Sequence, residues 1–286
     1  MSGLQAHDGG PCARFAGTNG RRPGARALDD GRDRCSDGRV RLALIGDVHG
    51  NVWALEAVLE DIQRRAAERI LDLGNVAQGS LRPAGAVAML RTAGVESVRG
   101  NTDAMLLAAV ASPGYEADHA LARETLTAAD WEWLGAQPAQ RRVGELFLCH
   151  GTPRSNRLRL LETLAPDGSR LATDSEIGAR LYGADGAAVI CCGHSHVARF
   201  VRLEDGRVCL NPGSVGLQAF QDDEPFPHAT QAGSPHARYA LLERRGGEWS
   251  AEFVSVPYDW ERAARQALER GRADRAQWLR TGRASF

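Results

Sequence analysis

Short, nearly unbroken apolar runs alternate along this chain with stretches whose apolar residues recur every three or four positions. The run at 41–45 (Arg-Leu-Ala-Leu-Ile) has the length of a strand and no polar alternation, as expected of a strand covered on both faces. Gly50 and Asn51 then permit a sharp turn, and Val52, Leu55, Leu59 and Ile62 carry a helical period. A second strand is predicted at 69–73, stopping at Gly74-Asn75, and Pro83 suits the start of a helix continued by Val87, Met89 and Leu90. A third strand at 95–98 stops at Gly100-Asn101-Thr102-Asp103. Strand, helix, strand, helix, strand is a parallel series, so its polar stops should share one edge of a sheet.

Residues 104–137 read as helical, with Thr127 and Asp130 near a helix start ahead of Trp131, Trp133 and Leu134. Short strands follow at 141–143 and 145–149, the second ending in His150-Gly151-Thr152-Pro153-Arg154. A helix at 177–182 precedes a strand at 187–192, which ends in Gly193-His194-Ser195-His196. Residues 200–203 and 208–210, joined through Asp205-Gly206, read as a hairpin closing on Asn211-Pro212-Gly213-Ser214. Residues 217–236 read as a long polar loop, and loops of that length commonly border functional sites. Strands at 238–242 and 249–256 lead into a C-terminal helix with Ala264, Leu268 and Trp278. The tally implies an α/β fold, a four-layer αββα sandwich of two mixed sheets flanked by helices, over residues 39–286.

Composition adds less. Residues 1–38 are rich in Gly, Arg, Asp and Ser without aliphatic periodicity, which predicts a disordered tail. With 43% hydrophobic residues and a net charge of −1, the chain has an ordinary globular composition and gives no support for a broad nucleic-acid-binding face. No apolar run approaches the ~20 residues of a membrane span, and the N-terminus lacks a secretory core, so the expected location is the cytoplasm. Six cysteines without CxxC spacing read as reduced thiols, four of them in apolar runs. All 35 Lys+Arg positions are Arg, a bias that suggests a GC-rich bacterial genome. No pattern specifies an oligomeric state.

The chemistry sits where the apolar runs stop. Asp47 lies two residues from His49, so in an extended chain both side chains would leave the same face. Asn75, Asn101, His150, and His194 with His196 end the other predicted strands. One histidine after a strand is ordinarily a hydrogen-bonded residue; polar groups after strand upon strand suggest a shared site. Imidazole nitrogen, amide oxygen and one carboxylate make a mixed set suited to Mn, Fe, Zn or Ni rather than Ca.

Gly46-Asp47-Val48-His49-Gly50-Asn51, Gly100-Asn101-Thr102-Asp103, His150-Gly151-Thr152-Pro153 and Gly193-His194-Ser195-His196 together resemble the ordered motifs of the calcineurin-like metallophosphoesterases. The segments at 211–214 and 256–258 further resemble a small bacterial phosphodiesterase branch. The resemblance implies one divalent metal held by Asp47, His49 and His196 and a second held by Asn101, His150 and His194, with position 75 bridging. It implies hydrolysis of a small phosphoester by activated water, most directly a phosphodiester. The catalytic set would be Asp47, His49, Asn101, His150 and Arg154, the arginine contacting a substrate phosphate. Two positions depart from the family pattern. Asn75 stands where the family has Asp, and an amide cannot bridge two cations, so one ion or a weakly held second is expected. Thr102 stands where many members have a His that protonates the leaving group, and Asp103 beside it is expected to cap the next helix. The other readings are a catalytically weakened binding scaffold on the same fold, and a dinucleoside polyphosphate hydrolase or protein phosphatase.

Overall fold

The computed structural model describes residues 40–109, 116–166 and 168–284; the tail expected at 1–38 lies outside them. In chain order the elements are β1 (Val40–Ile45), α1 (Val52–Arg64), β2 (Arg69–Asp72), α2 (Pro83–Thr92), β3 (Glu96–Ser97), α3 (Asn101–Leu107), α4 (Glu116–Thr125), α5 (Ala128–Ala136), β4 (Gln140–Val143), β5 (Leu146–Cys149), β6 (Glu162–Ala165), β7 (Gly168–Leu171), α6 (Asp174–Arg180), β8 (Val189–Cys191), β9 (Arg199–Arg202), β10 (Val208–Asn211), β11 (Ala219–Asp222), β12 (His228–Gln231), β13 (Ala237–Arg245), β14 (Glu248–Val256), α7 (Trp260–Glu269) and α8 (Ala273–Thr281).

Two five-stranded mixed sheets form the centre, in the orders β14-β13-β1-β2-β3 and β4-β5-β8-β10-β9. β1, β2 and β3 are parallel, and so are β5, β8 and β10. The unbroken apolar character of β1 has the expected cause. Leu42 and Leu44 pack between the sheets with Leu71, Leu148, Cys191 and Leu210, while Ala43 and Ile45 face α1 and α2 through Leu55, Val58 and Val87. The outer face of the second sheet is covered by α6 through Ile177 and Leu181. This is the four-layer αββα sandwich. Cys149, Cys191, Cys192 and Cys209 are buried and free within it.

Several elements differ from the sequence reading. Residues 217–236 are not one loop: β11 and β12 pair antiparallel within it. Their strands are four residues long and bury polar side chains such as His228 and Thr230, so no apolar alternation marks them. The hairpin rests on α8, where Leu217 and Ala219 meet Trp278. The C-terminal helix is two helices, broken beside Gly271, which adopts a left-handed φ of 74°. β6 and β7 form a second small hairpin that the sequence did not suggest. The helical stretch expected at 104–137 contains three helices among the described residues, and α5 starts at the Thr127–Asp130 capping box. Among the described residues no helix is long and apolar enough to cross a membrane.

The turn after β1 is held against the segment following Ser214. Gly216 donates its N–H to Asp47 O at 3.0 Å, and Asn51 Nδ2 donates to Gly216 O at 2.9 Å. A Cβ at Gly216 would stand 1.8 Å from Val48 O, so these two backbones can touch only because the side chain is missing. Gly216→Ala is therefore expected to lower stability by about 1–3 kcal/mol or more, read from urea unfolding midpoints at constant slope.

Candidate metal centre

The loops at the ends of β1, β2, β5 and β8 converge, together with the start of α3, and they do so in strained backbone. Asp47, His49, Asn75, His194 and His196 all have φ between 48° and 67°, a region that non-glycine residues enter at a cost. The extended geometry expected for Asp47 and His49 is thus not what aligns them. Two left-handed residues in a turn turn both side chains inward. Backbone bonds hold this shape: Asp47 N–H to Gly74 O and His49 N–H to Asn75 O, both at 2.9 Å, join the first two loops, and Gly193 N–H to His150 O at 2.7 Å joins the other two. Asn211, in the segment singled out at 211–214, donates to Gly193 O at 2.7 Å and to Ser195 Oγ at 3.1 Å. Ser214 Oγ donates to Asp47 O at 2.9 Å.

Asp47, His49 and His196 present ligand atoms within 4.8 Å of one another. The hydrogen bonds fix their protons. His196 Nδ1 faces Leu217 O at 2.6 Å, and His49 Nδ1 faces Gln78 O and Oε1, each at 3.1 Å, so both rings carry hydrogen at Nδ1. Their Nε2 lone pairs therefore meet at 3.3 Å, with Asp47 Oδ1 at 3.2 Å from His196 Nε2. Unprotonated nitrogens and a carboxylate converging in a buried place repel one another and suit a divalent cation. The residues present fit a metal here.

The second set is built differently. His150 Nδ1 faces Leu73 O at 2.6 Å, which turns Nε2 to Asn101 Oδ1 at 2.9 Å. His194 Nε2 faces Arg157 O at 2.9 Å, leaving its Nδ1 as the possible donor, and its ring lies 5.3 Å from that of His150. Asn75, at the position where the family has its bridging acid, turns its oxygen away. Its Oδ1 accepts from Thr102 N–H at 3.0 Å and from Thr102 Oγ1 at 2.7 Å. A backbone N–H can only donate, so the amide orientation is fixed, and Nδ2 faces Asp47 Oδ1 at 3.2 Å and Asn101 Oδ1 at 3.1 Å. The amide offers hydrogen-bond donors to the centre, not a ligand atom. Asp103 does more than cap α3. Besides the Gly100 N–H it accepts the N–H groups of Asn75, Val76 and Ala77 at 2.7–3.2 Å.

Two outer features escaped the sequence reading. Gln78 holds His49, donates to Asp118 Oδ2 at 3.0 Å, and Asp118 is in turn paired with Arg275 at 2.8 Å and Arg272 at 3.2 Å. Such partners orient a metal-binding ring; only the fold brings α4 and α8 to this loop. Arg159 is the other, buried beside the β11–β12 hairpin. Arg154, the expected phosphate contact, is exposed and stacks on the ring of Tyr182 at 4.6 Å.

Burial works to raise the Asp47 pKa, but the surrounding imidazoles of His196, His49 and His150, which favour a carboxylate among them whenever one takes up a proton, hold it well below the ordinary value. Burial lowers His49, and the nearby His196 adds to this against the opposing pull of Asp47. Burial also lowers His194, to about 3, reinforced by His150.

The chain matches the model of the calcineurin-like phosphoesterase superfamily domain over residues 40–230. It is 26% identical over 235 residues to an uncharacterized protein of Methanocaldococcus jannaschii, covering 78% of this chain and 89% of that one. A crystal structure of a metallophosphoesterase from Sphaerobacter thermophilus superposes with a TM-score of 0.64 at 23% identity, over 85% of this chain and 99% of the other. A hypothetical protein from Pyrococcus horikoshii gives 0.63 at 21%, over 86% and 100%.

Two outcomes follow from the geometry. In chelator, His49 and His194 stay neutral in the folded chain, yet their unfolded counterparts protonate below about 6.5. The unfolded state then binds more protons, so stability should fall as pH drops from 6.5 toward 3, by up to about 1.4 kcal/mol per pH unit for His194, with His49 adding in the same direction. Thermal melts at stepped pH check this, and a flat melting temperature from pH 5 to 7 would contradict it. Asn75→Asp places a second carboxylate beside Asp47, which only a cation can relieve. Elemental analysis should find the ratio of manganese to protein rising from about one in the parent toward two in the variant.

Proposed function

The chain belongs to the calcineurin-like phosphoesterase superfamily, and from that membership we propose that it is a metal-dependent phosphohydrolase acting on a small phosphodiester, such as a cyclic nucleotide or an aryl diester. The observation that carries this reading is the convergence of Asp47, His49 and His196 with Asn101, His150 and His194 in one buried, strained group of loops. A divalent metal held by Asp47, His49 and His196 would supply charge neutralisation at the phosphoryl group and a more acidic water. His49 and His196 are presented in the right tautomer by Gln78 and Leu217, so no proton has to move before such an ion binds. The Asn75 amide, pinned by Thr102, aims N–H donors into the centre, where they can also bond a phosphoryl oxygen. Asn101 and His150 flank it from the other side.

No acid for the leaving group is supplied at position 102. The Thr102 hydroxyl is buried and committed to Asn75 Oδ1, so the leaving oxygen must take its proton from water or leave as an anion. Substrates with acidic leaving groups are accordingly favoured. A binding-only reading is motivated by the same amide, whose donors stand where the family has a metal-bridging carboxylate.

The test is hydrolysis of bis-p-nitrophenyl phosphate with added manganese, alongside His150→Ala and Asp47→Asn. Turnover should require the metal and fall by about a hundredfold or more in each variant. Equal rates in all three proteins would leave the binding-only reading.

A further inference from the structure

Arg159 is a buried cation without an ion pair. It is 8% exposed, and among the described residues no carboxylate lies within ion-pair distance of its guanidinium. Glu162, the acid acting on it most strongly from a distance, is engaged by Arg199, with its other oxygen left without a hydrogen bond. Arg159 bonds only to neutral groups. Its Nη2 donates to Thr230 Oγ1 at 3.0 Å and to His228 Nε2 at 2.7 Å. His228 Nδ1 faces Phe226 O at 2.7 Å and carries the ring proton, so Nε2 is free to accept. Among the described residues the Nε and Nη1 groups, three N–H donors, make no hydrogen bond to protein, and neither atom is among the fully buried unsatisfied ones.

The guanidinium is also held in place. Arg180 Nη1 donates to the carbonyls of Arg159, Leu160 and Glu162 at 3.0–3.3 Å, and the ring of Phe220 lies 5.7 Å from Cζ. That same ring packs edge-on against His196 at 4.7 Å. Two residues upstream, Arg157 O is bonded to His194. The segment bearing Arg159 and the ring beneath it each touch a histidine of the candidate centre. A desolvated cation with open donors, fixed beside a metal centre, is costly unless an anion completes it.

We propose that Arg159 binds a second phosphate of the substrate, next to the phosphate that is cleaved. The assignment rests on the phosphohydrolase reading above and shifts its preferred substrate from a single-phosphate diester to one carrying adjacent phosphates. It also transfers to a buried arginine the role that the sequence suggests for Arg154.

Calorimetric titration of the manganese-loaded protein with inorganic pyrophosphate and with orthophosphate separates the two phosphate positions. Arg159→Gln should weaken pyrophosphate by about tenfold or more while changing orthophosphate by less than about twofold, and Arg159→Lys should recover part of the loss. Equal loss for both ligands, or none for pyrophosphate, overturns the proposal, since a merely structural pin for the hairpin would not discriminate between them. A second measurement uses the parent chain: the Arg159 Nε–H resonance, assigned with Arg159→Lys, should move with pyrophosphate and not with orthophosphate, and a stationary signal also overturns it. Binding is read without turnover. A protein that binds pyrophosphate through Arg159 yet hydrolyses no ester would sink the hydrolase reading and leave Arg159 as the site of a second bound phosphate only.

Discussion

The structure is arranged around one buried carboxylate. Asp47 is fully buried and among the described residues has no arginine within ion-pair distance, so its charge must be met by oriented dipoles and imidazoles. Its Oδ2 accepts the His194 N–H at 3.0 Å, and its Oδ1 accepts the Asn75 amide and faces His196. These partners come from two other loops, those after β2 and β8. Meeting one charge therefore ties the β1, β2 and β8 loops into a single object, and the sandwich supplies the scaffold on which they can meet.

That object is held under strain. Five of its side chains project from left-handed backbone, a conformation that local sequence resists and that persists only when surroundings over-determine it. The surroundings are visible: amide bonds between the first two loops, Asp103 gathering the N–H groups of residues 75–77, and the segment at 211–217 pressed against residues 47–51. Rigidity of this kind keeps ligand atoms that repel one another within bonding reach of a common cation.

Asn75 and Thr102 are the two departures from the family pattern, and they are in contact. The threonine N–H and hydroxyl both hold the amide oxygen, so the two substitutions act as one unit that turns an N–H donor toward the centre. The centre thus gathers its ligand atoms in the Asp47–His49–His196 set and presents hydrogen-bond donors beside it, with Arg159 as the proposed outward extension toward an anion.

The sequence by itself determined the layers and the chemical edge. The apolar run at 41–45 reads as a doubly covered strand because both faces of β1 are in fact buried, and the polar residues that stop it and the run at 145–149 are among those that converge. It left hidden the β11–β12 hairpin, where buried residues of β12, His228 and Thr230, are polar and bond Arg159, so that no apolar alternation marks the strand. It also could not show which way the Asn75 amide turns, that Gln78 leans on Asp118 and Arg275, or that Arg159 is buried while Arg154 is not. Those facts depend on side chains 27 to 157 positions apart in the chain meeting in space. Periodicity reports which face of an element is buried; pairings over such distances are decided only when the sheets close over one another.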